Sequence, residues 1–280
     1  MESISNAEYR KKEGISSSDL KRMMKSMASW KYYHDNPDDN DTEALQFGRA
    51  YHKLMLEPDD FDNEFVVSPK FDRRTKEGKA AYEEFLKSSE GKEVINEETY
   101  QKLLEMQIAL YNTPFVKLLI KGEHEKSIFW KDEQTGITLK CRPDSFGRIK
   151  DQYIAIDLKT TKDAETDHFM RDALKLGYDL QAYHYCDGLE HEYKKPFKFI
   201  FIAQEKTAPY LVNVLEADEY FMKNGKELRD SLLEKYKMCC ETDTWPGYMD
   251  ENGGINSLTI PEFLKNSIVL EDEDTEGVDD

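Results

Sequence analysis

Cysteine is scarce in this sequence: four in 280 residues, Cys141, Cys186, Cys239 and Cys240, and the only close pair is adjacent. Without C-x-x-C spacing neither a zinc site nor an iron–sulfur cluster is supported, and reduced, mostly buried thiols are expected. Long apolar runs are missing too. No stretch approaches the ~20 residues that span a bilayer, and Met1-Glu2-Ser3-Ile4-Ser5 lacks a basic region followed by an apolar core. The expectation is a cytosolic protein with no membrane partner. Positive charge is also short, with 39 lysines and arginines against 57 acids, a net −18. The last ten residues, 271–280, hold seven acids and no base, and read as a disordered acidic tail; residues 1–270 still carry −11. A global positive field for nucleic acid is thereby excluded. Any DNA contact must use a local basic strip or a carboxylate site filled with divalent cations.

What is present can fold. Hydrophobic residues make up 39% of the chain and aromatics 12%, enough for a sizeable core, and residues 1–270 read as a single domain. Serines 16–18 before Leu20, Met23, Met24 and Met27 predict a helix over 17–35. Thr42 caps a second helix, 43–56, which stops at Glu57-Pro58. Gly48 and His52 share a face of it, and a glycine inside a helix suggests that something approaches the backbone there. Lys70 to Lys79 concentrates five basic residues, Arg73 and Arg74 among them, and fits either phosphate contacts or a solvated loop. Helical spacing returns over 80–87 and 97–110 and in a short turn, 116–120, with Gly122 as its C-cap.

The period then changes from near 3.6 to 2. Glu125 to Trp130 and Ile137 to Asp144 read as strands around a turn at 132–136, and Ser145 to Arg148 reads as part of the next turn. A third strand follows, Tyr153 to Lys159. Its alternation puts Asp157 and Lys159 on one face and Ile156 and Leu158 on the other. The expected result is an antiparallel meander that carries Glu125, Asp144 and the Asp157/Lys159 pair to neighbouring positions. A helix over 164–176, a second one carrying Gln181 and Tyr185 four apart on one face, a hairpin (198–204 with 210–215) and a final helix, 217–240, complete the reading. Beyond it, 258–270 is a segment that could dock.

In order, the chain offers G-x-x-x-H (Gly48, His52), an acid opening a strand (Glu125), R-P-D (Arg142 to Asp144), D-L-K-T-T (Asp157 to Thr161) and Q-x-x-x-Y (Gln181, Tyr185). A lone D-x-K is matched by chance often; five such motifs in this order are not. The arrangement resembles the PD-(D/E)XK nuclease superfamily, in particular its RecE-type (exonuclease VIII) and lambda-exonuclease-like phage branch, over residues 15–215. The resemblance implies an α+β (α/β) restriction-endonuclease-like core, a central mixed sheet flanked by helices. It implies a Mg²⁺-dependent 5′→3′ double-strand DNA exonuclease, with Mn²⁺ as a substitute, that leaves 3′ overhangs in homologous recombination. An endonuclease of the same superfamily and a non-catalytic DNA- or recombinase-binding protein are the alternatives.

The chemistry gives the spacing a reason of its own. Hydrolysing a phosphodiester needs an activated water and stabilised phosphorane oxygens, and Mg²⁺ takes hard oxygen ligands while keeping several waters. By resemblance Asp144, Asp157, the Leu158 carbonyl, Glu125 and His52 are metal ligands. Lys159 orients or deprotonates the water, and Gln181 and Tyr185 support the lysine or the DNA backbone. Glu123 competes with Glu125 by proximity, but Glu125 adjoins the strand. Thr160, Thr161, Lys162, Lys140, Arg73 and Arg74 are candidate DNA contacts. The implied partners are duplex DNA ends, a RecT-like single-strand annealing protein and further copies of the chain in a trimeric or tetrameric ring, which would multiply a few basic residues around one channel. The implied setting is the cytosol of a bacterial host, where the gene is carried by a phage or prophage.

Overall fold

The computed structural model describes residue 4 and residues 6–37, 42–248, 254–260 and 265. The chain divides into two units, Met1–Trp245 and Pro246–Asp280. In the second, Asn256 Nδ2 donates to the Tyr248 carbonyl at 3.3 Å. Most of 258–270 and all of the acidic tail lie outside the described residues.

The first unit opens with α1 (Asn6–Lys11), α2 (Ser17–Lys25) and α3 (Met27–Asp35). Where the periodicity predicts one helix over 17–35 there are two. Ser26 turns extended (φ −175°, ψ 155°), and its hydroxyl accepts from the Ser29 N–H to start α3 afresh. A serine side chain satisfies a helix's free N–H groups at little cost, so it can restart a helix without a proline or glycine. At the head of α2, Ser16 and Asp19 form a reciprocal capping box. Next comes α4 (Glu43–Leu56), capped by Thr42 as read from the sequence. Among the described residues, and apart from the helix's own backbone and Gly48's chain neighbours, no atom lies within 4 Å of where a Gly48 Cβ would be, so the expected close approach is absent there. A 3₁₀ turn (Pro58–Asp60) and α5 (Phe61–Glu64) lead to β1 (Phe65–Ser68); after α6 (Lys76–Ser88), β2 (Glu93–Asn96) pairs with β1 in parallel. The helices α7 (Glu97–Asn112) and α8 (Val116–Leu119) follow.

The strand region differs from the expected meander. β3 (Glu123–His124) comes first, then β4 (Ile128–Lys131) and β5 (Thr138–Cys141), which pair only with each other as a ladder. The chain then crosses at Arg142-Pro143-Asp144 into β6 (Ser145–Ile149), the segment that reads as a turn, and β6 is the true antiparallel neighbour of β7 (Gln152–Thr161). Serine and glycine mislead here. Gly147 is a strand residue, and Gly122, far from capping α8, sits where a Cβ would fall 2.0 Å from the Phe146 carbonyl oxygen.

Two helices, α9 (Thr166–Lys175) and α10 (Tyr178–Tyr193), make the crossover to β8 (Phe197–Glu205), which runs parallel to β7. With β9 (Val212–Glu216) as its antiparallel edge, the central sheet is mixed, in the order β3-β6-β7-β8-β9. The long α11 (Glu219–Thr242) closes the unit. Among the described residues no helix is long and apolar enough to cross a membrane.

Period-2 alternation along β7 sorts its side chains between two cores. Ile154, Ile156 and Leu158 join Ile200 and Ile202 of β8 against α4 and α7, while Ala155 joins Phe199 and Phe201 on the face that α2 and α10 cover. Burying a side chain such as Ile156 or Leu158 contributes about 1.5–3 kcal/mol. A one-residue slip would exchange the two sets and push Asp157 and Lys159 into the isoleucine core. Register is therefore held by the hydrophobic residues, and it commits Asp157 and Lys159 to the second face. The α+β architecture, a central mixed sheet flanked by helices, is the one expected.

Candidate active site

The antiparallel ladder between β6 and β7 ends at Ser145↔Ile156. The next N–H facing that side, on Leu158, therefore has no strand partner there, and the Asp144 carboxylate takes it: Oδ2 accepts at 2.7 Å. The same oxygen lies 3.2 Å from His52 Nδ1, which α4 delivers from its third turn. Glu125, just past β3, adopts left-handed backbone (φ 50°), a conformation that disfavours a β-carbon. Its N–H points to the Asp144 carbonyl at 3.4 Å, and its Oε2 accepts from Arg142 Nε at 2.7 Å. His52, Glu125 and Asp144 each bring one ligand atom within 4.8 Å of the others. Glu123 turns elsewhere, toward the Tyr193 hydroxyl.

Across β7, Asp157 is 1% exposed and forms an ion pair with Lys159, as expected of residues two apart on one face. Its Oδ1 accepts from Gln181 Nε2 of α10 at 2.7 Å, whereas Oδ2 meets only the Lys159 ammonium and has no well-formed hydrogen bond.

The carboxylates divide electrostatically. Burial would raise Asp144, but the charge and hydrogen bond of His52, then Lys159 and the Leu158 N–H, hold it below its ordinary range. Asp157 goes the other way: burial, reinforced by Asp144, outweighs Lys159 and leaves its carboxyl raised. Glu125 is pushed up to about 7 by burial and by the Asp144 charge, against Arg142 and His52. Burial opposes charge on His52 and on Lys159 as well, yet the surrounding acids hold both above their ordinary values. In the Asp157–Lys159 pair the carboxylate is the more deeply buried partner (1% against 16% of the side chain exposed), so it bears the desolvation while the ammonium stays charged.

The Glu125 and Asp144 carboxylates and the His52 imidazole, with the Asp157 carboxylate and its Lys159 partner next to them, form the donor set that a divalent cation fits. His52, Glu125 and Asp144 are placed to hold it, with Asp157 Oδ2 alongside. At Leu158 it is the N–H that the structure shows engaged, by Asp144.

Other residues singled out in the sequence have different surroundings. Tyr185 is on α10 one turn after Gln181; its hydroxyl bonds to Ser17 and its ring packs on Phe199, which ties α10 to α2. Thr161 Oγ donates to the Asp163 carbonyl at 2.9 Å; with Thr160 and Lys162 it lines a cavity of about 230 Å³ that also includes Tyr178 and Lys206. Lys140 is buried, and its ammonium donates to the Tyr9, Arg10 and Lys12 carbonyls at the end of α1. Cation binding to those carbonyls is a helix C-terminal role, away from the proposed phosphate contact. Arg73 stacks on Tyr82 and Arg74 pairs with Asp72 in the loop before α6.

Two residues went unnoticed in the sequence. Lys21 of α2 donates to Gln181 Oε1, and the ring of Tyr178, the first residue of α10, has both Lys21 Nζ and Lys159 Nζ 4.8 Å from its centroid. Burial and the Lys159 charge push Lys21 down to about 7. Lys21 directly follows a buried leucine on an amphipathic helix and looks like any surface lysine; Tyr178, after Gly177, looks like the end of a loop.

None of the curated proteins matches the chain in sequence. A crystal structure from Eubacterium rectale, of a protein provisionally named an exonuclease, superposes with a TM-score of 0.62 at 12% identity, covering 96% of this chain and 100% of the other, which supports the fold. A structure of the protein SSO0001, 15% identical over 69% of this chain and 87% of its own, has a TM-score of only 0.28. Residues 16–257 match a family model that spans the whole site, from the capping box of α2 past the end of α11, and the chain belongs to that family, described as the PDDEXK-like domain of unknown function (DUF3799).

Proposed function

We propose that this protein is a Mg²⁺-dependent 5′→3′ exonuclease on double-stranded DNA, able to use Mn²⁺, that leaves 3′ single-stranded overhangs for homologous recombination. The observation that carries the reading is the cluster of His52, Glu125 and Asp144, whose ligand atoms lie within 4.8 Å of one another, beside the buried Asp157–Lys159 ion pair of β7. A bound divalent cation supplies Lewis acidity: it lowers the pKa of a coordinated water and stabilises charge on the phosphate oxygens. The chain's own groups do the rest. Asp144, Asp157, Glu125 and His52 hold the cation, with the Leu158 carbonyl as a further ligand. Lys159, kept charged by its acidic neighbours, donates from Nζ to orient the attacking water and balance charge on the phosphate. Gln181 keeps Asp157 in place, and Tyr185 stiffens the helix that carries it.

Thr160, Thr161 and Lys162, at the end of β7, are the nearest candidates for gripping the phosphodiester backbone, with Arg73 and Arg74 as outlying contacts. The name of the Eubacterium rectale protein favours an exonuclease over an endonuclease. The net charge of −18 is the reason to propose a ring of subunits around the DNA, handing its overhang to a single-strand annealing protein. The test is end-labelled linear duplex, with and without a 5′ phosphate, in Mg²⁺ and in chelator, beside a covalently closed circle. Expected are 5′-end-dependent mononucleotide release in Mg²⁺ and none in chelator or with Asp157→Ala or Lys159→Ala. Rapid cutting of the circle would make it an endonuclease, and full activity of the two variants would overturn the site.

A further inference from the structure

Lys21 is a half-buried lysine set against the site without a paired carboxylate. Among the described residues no carboxylate lies within ion-pair distance of its Nζ, and its surroundings include a second cation, Lys159, over the same tyrosine ring. Burial and that like charge together disfavour its protonated form. Its one hydrogen bond runs to Gln181 Oε1, and Gln181 Nε2 in turn donates to Asp157 Oδ1. A side chain kept in so unfavourable a place, in contact with the site's own amide, points to a task there.

The geometry of that chain defines the task. A glutamine amide has an accepting end and a donating end of nearly equal shape. Flipped, it would set its oxygen against the Asp157 carboxylate and its NH₂ against the Lys21 ammonium, losing two hydrogen bonds and adding two repulsions. Lys21 Nζ donates to Oε1 and the Asp157 carboxylate, which can only accept, takes Nε2, so between them the amide has one orientation. We propose that Lys21 is a positioning residue of this site: by donating to Oε1 it locks the Gln181 amide so that Gln181 occupies Asp157 Oδ1 and leaves Oδ2 to Lys159 and the cation. The inference rests on the reading that these carboxylates hold a divalent cation, and it adds α2, with its Ser16 capping box, to the elements that build the site.

The test uses the full chain as wild type, Lys21→Met, Gln181→Leu and the double variant. Mn²⁺ binding to the DNA-free protein is followed by electron paramagnetic resonance, and duplex cleavage under single turnover is measured beside it. Lys21→Met is expected to weaken Mn²⁺ binding and slow cleavage about tenfold or more, the usual effect of losing a group that orients a ligand. The double variant is expected to fall within about threefold of Gln181→Leu alone, because both changes remove one interaction. Tighter Mn²⁺ binding by Lys21→Met would mean that the lysine acts only as a repelling charge, and would overturn the proposal. So would multiplicative losses in the double variant, or wild-type values in Lys21→Met. Lys21→Gln, uncharged and shorter, replaces Lys21→Met if the latter does not fold, with the same expectations. A wild-type chain that binds Mn²⁺ but cuts no DNA would end the nuclease reading and leave the Mn²⁺ comparison to decide Lys21.

Discussion

Glu125→Gln should make the metal-free protein more stable at alkaline pH while removing its response to metal. The carboxyl is raised from 4.5 to about 7. The folded protein therefore holds that proton more tightly than the unfolded chain does. Below pH 4.5 both states are protonated and the contribution to stability is fully present; as pH rises through 7 it is lost. A shift of that size corresponds to roughly 3 kcal/mol at about 1.4 kcal/mol per pH unit. Solvent reaches 29% of the side chain, so screening brings the expected gain for the glutamine variant to about 2 kcal/mol at pH 8 and near zero at pH 4.5. Unfolding entropy near 2.1 cal/mol/K per residue converts this into a melting temperature roughly 4 °C higher for a unit of this size. The assay is thermal unfolding of both proteins in chelator at pH 5 and pH 8, repeated with divalent metal. Metal should stabilise the wild type by about 1.4 kcal/mol per tenfold excess over its Kd and leave the variant nearly unmoved, so the order of the two reverses. A glutamine variant less stable than wild type in chelator at pH 8, or a gap unchanged at pH 5, would refute the reasoning.

Two further predictions concern the frame that aims Gln181. A Gly225→Ala Cβ would sit 2.1 Å from the Asp179 carbonyl oxygen, two residues before Gln181; the helices α10 and α11 must part, which is expected to cost about 1–3 kcal/mol in urea unfolding and to slow cleavage in the folded fraction. Wild-type stability with wild-type cleavage would show that the contact yields freely. Arg229 is buried, with Nη1 2.6 Å from Asp187 and Nη2 2.9 Å from Asp230, and it lies over the Tyr183 ring. Arg229→Met leaves the buried Asp132 and the half-buried Asp187 without their cation, while Asp230 keeps Lys226, and should destabilise by about 3 kcal/mol; a loss below ~1 kcal/mol, read from the same urea curves, would show that solvent compensates those acids.

Local order was legible in the sequence because it is encoded locally. Alternation along β7, the Thr42 cap, and the spacing of Gln181 and Tyr185 are properties of neighbours in the chain. They placed Asp157 with Lys159 and the amide on a facing helix before any coordinates existed. Partner choice was not legible. The strand beside β7 is 145–149, joined to it by a tight hairpin turn at Lys150 and Asp151, yet Ser145 and Gly147 carry turn-like chemistry that the packed sheet overrides. Gly48 kept its place in the motif but not its expected neighbour. Glu125 reaches the site through a left-handed residue, a backbone state that its sequence does not announce.

The sequence by itself thus determined which residues make up the candidate site and which face of β7 Asp157 and Lys159 take, since period-2 burial assigns the other face to isoleucine and leucine. Only the tertiary structure decided which strand carries Asp144 to Leu158, how Glu125 turns inward, and that Lys21 is a member of the site. Those features arise from contacts between segments up to 160 residues apart. A half-buried lysine has no local signature, because what distinguishes it from the other basic residues is what surrounds it after folding.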